Sequence, residues 1–116
     1  MNQTAYPLQW PAGWPRTESR EGGRFKTTLN TALSALKREV ELLGGRSLVL
    51  SSNVTLGNEN PKDCGVVAYF ELRGQFISIP CDRWNNVESN VKAITLTIEA
   101  MRGIERWGAK HYYRDV

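Results

Sequence analysis

The residues of this chain that could do chemistry are few and scattered. Asp63 lies upstream of an acid-x-base pair, Glu71-Leu72-Arg73. Metal-dependent nucleases set an acid and an acid-x-Lys pair on neighbouring strands, where the carboxylates hold Mg²⁺ and the ammonium orients water. Here Arg stands in the place of Lys, and ordinary charges on an exposed hairpin are the plainer reading. Cys64 and Cys81 have no histidine near them in sequence, and two thiolates cannot complete a four-ligand zinc site. They read as reduced, partly buried thiols, with a redox pair as the lesser alternative. Ser51-Ser52 lacks the glycines of a nucleophile elbow. His111 has no acid or nucleophile at useful spacing. We therefore assign no catalytic residue, no metal ligand and no cofactor.

Binding chemistry has more to work with. Arg102 and Arg106 stand one helical turn apart beside Trp107, and Lys110, His111 and Arg114 follow. Like charges at that spacing repel mildly. They are favoured at a helix C-terminus by the helix dipole, and they gain a use if they grip phosphate or carboxylate. Arg83, in Cys81-Asp82-Arg83-Trp84, adds a further guanidinium in a polar turn where Asp82 and Arg83 are expected to pair. The candidate nucleic-acid or partner-binding residues are therefore Arg83, Arg102, Arg106, Trp107 and Lys110. Net charge is only +3, which permits phosphate contact without demanding it. Ten of the fifteen basic residues are Arg, the side chain suited to bidentate contacts.

The elements that must carry these residues follow from periodicity. Phe25, Leu29, Ala32, Leu33, Leu36, Val40 and Leu43 recur at helical spacing, predicting a helix over 24–43 that Gly44-Gly45 stops. Residues 47–54 read as a strand and 55–63 as a loop. Residues 65–72 and 75–80 form a hairpin about Arg73-Gly74, with Leu72 opposite Gln75, Phe70 opposite Ile77 and Ala68 opposite Ile79. Val66, Ala68, Phe70, Leu72, Ile77 and Ile79 then share an apolar face. Val67, Tyr69, Glu71, Phe76 and Ser78 share a mixed one. A second helix starts near Asn85 or Asn86, with Glu88 and Asn85 as a capping box, and carries Val87, Val91, Ile94, Ile98 and Met101 to Gly108. Leu36, Val40, Phe70, Ile79, Ile94 and Ile98 are the predicted centre of the core.

The chain is expected to be one α+β domain, α-β-β-β-α, with a three-stranded antiparallel sheet and both helices on one face. Residues 1–23 form an extended arm and linker, 24–108 the domain, and 109–116 a short basic and aromatic tail. Pro7, Pro11 and Pro15 keep the arm from being helical. Trp10 and Trp14 are expected to dock it on the mixed sheet face, where Tyr69 and Phe76 would otherwise be free to stack unpaired bases. No apolar run approaches the length of a membrane span and the first residues lack the pattern of a signal peptide. A cytoplasmic location is expected, which makes the sequon at Asn53 a chance match.

The element order is also that of the double-stranded-RNA-binding domain, but the second helix opens with Asn85, Asn86, Glu88, Ser89 and Asn90 and lacks the basic cluster such domains use. A closer likeness lies in the segments YPLQWPAGWPRT, SSNV, DCGVVAYFELRGQ, CDRW and AITLTIEAMRGIERWGA. These resemble a family carried by phages, plasmids and integrated elements of bacteria. In many relatives this region precedes a J domain, the module that docks on Hsp70 chaperones. The present chain carries no such domain, and Tyr112 follows His111 where docking requires Pro-Asp, so co-chaperone activity is not expected. The resemblance implies a mobile-element accessory protein. The leading expectation is a non-enzymatic module that binds nucleic acid or a nucleoprotein complex. The alternatives are an adaptor or inhibitor of a host defence complex, with homo-oligomer formation open, and, third, a nuclease-like enzyme.

Overall fold

Thr28 opens the first helix, its hydroxyl accepting the Thr31 N–H at 3.2 Å, as a cap should. The computed structural model describes residues 3–23 and 25–108. Helix α1 runs over Leu29–Leu43, and Ala32, Leu36, Val40 and Leu43 are its buried stripe. It begins later than periodicity suggests because Thr28 takes the cap. Phe25 lies outside the helix and meets Trp84 edge to face, with ring centroids 6.0 Å apart. Gly44, at φ 97°, closes α1 in the left-handed conformation, and the Gly45 N–H returns to the Val40 carbonyl at 2.8 Å.

Strands β1 (Arg46–Ser51), β2 (Val66–Leu72) and β3 (Gln75–Cys81) form an antiparallel sheet in the order β1-β2-β3. The first strand is shorter than its β-branched run suggests; beyond Ser51 the chain turns toward the arm, and the Ser52 N–H donates to the Ala5 carbonyl. The β2–β3 register pairs Leu72 with Gln75, Phe70 with Ile77 and Ala68 with Ile79, as the turn chemistry predicts. Arg73 (φ 49°) and Gly74 (φ 80°) both lie in the left-handed region, which a two-residue type I′ turn requires. Between β1 and β2 the register steps from Arg46↔Glu71 to Val49↔Tyr69. The extra residue makes a bulge, and Ser47 sits in it at φ 59°.

Helix α2 spans Val87–Arg106. Its N-cap is Asn86, which accepts the Ser89 N–H at 2.8 Å. The expected box between Asn85 and Glu88 does not form, because the Asn85 carboxamide oxygen takes the Gly23 N–H instead. Both helices lie on the sheet face carrying Val66, Ala68, Phe70 and Leu72, and together they close the core. Leu36, Val40, Phe70, Ile94 and Ile98 are buried there, while Ile79 packs against the core from a partly exposed position. No helix among the described residues is long and apolar enough to cross a membrane.

Candidate functional site

The second face of the sheet is where the molecule leaves a groove. The arm crosses one half of that face. The Gln9 N–H donates to Ser51 Oγ at 2.7 Å, the Leu8 N–H donates to Asn53 Oδ1 at 2.9 Å, and the Tyr69 hydroxyl donates to the Gln9 carbonyl. Val67 is fully covered, whereas Phe76 near the hairpin turn keeps 60% of its surface exposed. Between arm and hairpin lies a hollow of about 690 Å³ floored by Val49, Tyr69, Glu71, Phe76 and Ser78 and walled by Trp10 and Pro11. That size is in the range of small-ligand and side-chain pockets. The arm therefore docks on this face as expected, but covers only part of it. Trp14 does not reach the sheet and stays 55% exposed. A turn at Pro11–Trp14 folds the loop back, so that Trp10 Nε1 donates to the Trp14 carbonyl at 3.0 Å.

A cluster of two carboxylates and two guanidinium groups clasps the arm. Asp82 Oδ2 accepts from Arg16 Nε at 2.8 Å and from the Thr17 N–H at 3.0 Å, and Asp82 Oδ1 accepts from Thr17 Oγ1 at 2.6 Å. Asp63 Oδ1 accepts from Arg16 Nη2 at 2.7 Å, from Arg20 Nη2 at 2.8 Å and from the Gly65 N–H at 3.2 Å. Arg16 also lies 4.5 Å above the Trp10 ring, fixing the wall of the groove through a cation–π contact. Burial alone would raise the Asp63 pKa, but the hydrogen bonds from Arg16, Arg20 and Gly65 outweigh it and hold the group at about 2. For Asp82 the same contest between burial and the bonds from Arg16 and Thr17 also ends below the usual carboxylate range. Residues 17–23, which read as a linker, are thus fastened, and Glu21 adds a bridge to Trp84.

The structure does not bring the sequence-predicted binding residues together. Arg83 lies before α2 and Arg106 ends it; a helix of 20 residues holds such ends about 30 Å apart. Arg83 does not pair with Asp82, which the arm has taken. Its Nε donates to Glu21 Oε2 at 2.7 Å, and its guanidinium lies 4.9 Å from the Trp84 ring centroid. Arg102 is an interhelical tie, its Nε donating to Glu39 Oε1 of α1 at 3.0 Å with both side chains largely covered. Glu105 pairs with Arg73 of the hairpin turn. Arg106 and Trp107 remain exposed, Trp107 at 82%. Lys110 lies outside the described residues. Asp63 and Glu71 sit beyond and near opposite ends of β2, whose seven residues extend roughly 20 Å. They cannot share a metal ion, and Asp63 is committed to arginines.

Asn90 was not singled out by sequence, yet it is the polar centre of the core. Fully buried, it donates from Nδ2 to the carbonyls of Cys64 and Trp84 at 2.9 and 3.0 Å. Its Oδ1 accepts from the Trp84 N–H at 2.9 Å and from Cys81 Sγ at 3.3 Å. Cys64 Sγ donates to the Trp84 carbonyl at 3.1 Å. Both cysteines are free thiols, and burial pushes the Cys81 thiol up, away from reactive thiolate. The available signal was positional: Asn90 falls on the stripe of Val87, Val91 and Ile94. Comparison with protein-family models, curated proteins and solved structures finds no match.

Proposed function

We propose that this chain is a small, non-enzymatic docking module of a phage or other mobile element, acting in the cytoplasm, and that it holds its partner in the groove on the outer sheet face. The mobile-element part of this reading rests on the sequence segments quoted above. The docking part is carried by one observation: beside an arm clasped onto the sheet, a groove floored by Tyr69 and Phe76 and walled by Trp10 stays open. Rigid aromatic surface of this kind anchors partners at low entropic cost.

A second reading, docking on nucleic acid at the end of α2, is favoured by exposed Arg106 beside exposed Trp107. It loses strength from Arg83 and Arg102, whose guanidinium groups are spent on Glu21 and Glu39. Fluorescence anisotropy with labelled single- and double-stranded DNA and RNA, at low and high salt, separates the readings. The docking reading expects weak nucleic-acid binding and capture of a host or phage protein that Phe76→Ala abolishes and Arg106→Glu spares. Tight binding that falls steeply with salt and is lost in Arg106→Glu would establish the second reading instead.

A further inference from the structure

The composition of the groove restricts what can lie in it. Among the described residues its floor carries one charged side chain, Glu71, and no Lys or Arg lines it. Glu71 stands directly across from Phe76, and Tyr69 directly across from Ser78. Facing residues of an antiparallel pair have Cβ atoms about 5 Å apart and diagonal ones about 7–8 Å. Tyr69 and Phe76 are such a diagonal and both neighbour Glu71 on this face, with Trp10 on the arm side of the groove. Aromatic faces carry negative charge density and attract cations, and the carboxylate adds a full charge among them. Among the described residues Glu71 makes no ion pair. Arg46 is its neighbour in register on β1, yet it forms no salt bridge with Glu71 and does not line the groove. For a polyanion the same charge is repulsive, which sets this groove apart from a nucleic-acid platform.

We infer that the groove takes the cationic side chain of a partner protein, a lysine, methylated lysine or arginine presented by an extended basic segment. This rests on the docking reading above and names its ligand class. Aromatic rings and a carboxylate lining one groove suit a soft, alkyl-clad cation. Tyr69 contributes as a neutral phenol, since burial raises its pKa and its proton is given to the Gln9 carbonyl.

The test is a titration of the isotope-labelled protein followed by amide NMR shifts. The probes are short capped peptides identical except at the centre, which is lysine, trimethyl-lysine, norleucine or glutamate, together with a single-stranded RNA oligomer. The lysine and trimethyl-lysine peptides should move signals of residues 69–78 and bind about tenfold or more tighter than the norleucine peptide, a difference of about 1.4 kcal/mol. Glu71→Gln should erase that preference and leave the fold unchanged. If norleucine or glutamate binds as well as lysine, or Glu71→Gln changes nothing, the ligand class is wrong while the groove stands as a docking site. If no peptide moves the hairpin signals, or only RNA does, the docking reading itself falls and this inference with it.

Discussion

Asn90 shows how one side chain can hold a junction. The end of the loop before β2, the exit from β3 and the first turn of α2 meet where no backbone ladder continues, and the buried groups there need partners. Asn90 supplies them to Cys64 and Trp84. Asn90→Ala would leave a buried N–H and carbonyl short of partners, and each such group costs about 1–3 kcal/mol. We expect a loss of about 2–4 kcal/mol in urea unfolding, with an unchanged dependence on denaturant. Asn90→Asp should cost at least as much, because it removes both donors and buries a charge. The role was legible only in part: the helical stripe puts position 90 inside, but nothing local tells which distant backbone groups await it. Asp82 hid for the same reason, since its partners Arg16 and Thr17 lie far away in sequence.

The elements themselves were written plainly. Stripes of period 3.6 placed both helices, and Arg73-Gly74 set the hairpin register to the residue. What periodicity missed was the start of α1, decided by the single cap Thr28; for α2 the asparagine signal pointed to Asn85 or Asn86, and Asn86 is the cap. Tight corners make a sharper test. Gly45, between α1 and β1, lies where an added Cβ would come within 2.7 Å of Val40 Cγ1 and 2.9 Å of Phe70 Cδ2. Gly74 meets nothing nearby, but its φ of 80° is unfavourable for any residue with a Cβ. Gly45→Ala should therefore destabilise through packing, and Gly74→Ala through backbone strain alone, by about 1–2 kcal/mol. Thermal unfolding of both variants checks this. A Gly45→Ala protein as stable as the wild type would mean that the α1–β1 corner is looser than described.

At the scale of the whole molecule the arm decides what the sheet presents. It covers Val67 and Ser51, leaves Phe76 open, and forms one wall of the groove with Trp10. The sequence foretold an arm held by its tryptophans, but a charged clasp at Asp63 and Asp82 and hydrogen bonds to Ser51, Asn53 and Tyr69 also fasten it. Because Asp63 and Asp82 have folded-state pKa values below their unfolded ones, their contribution is present above the ordinary carboxylate range and is lost as pH falls below it, for Asp63 through about 2. In that window the arm should leave the sheet before the core unfolds, since the core lies on the opposite face. Tryptophan emission should shift as Trp10 loses Arg16, while the far-ultraviolet circular dichroism of the helices persists. Asp82→Ala should produce the same release at neutral pH. Trypsin would then cut after Arg16 and Arg20 much faster than in the wild type, and the lysine-peptide response of the hairpin would weaken with the loss of the Trp10 wall. If cleavage at Arg16 and Arg20 stayed slow in Asp82→Ala, the arm would be held by its contacts to Ser51, Asn53 and Tyr69. The groove would then owe its shape to the sheet rather than to the charged clasp.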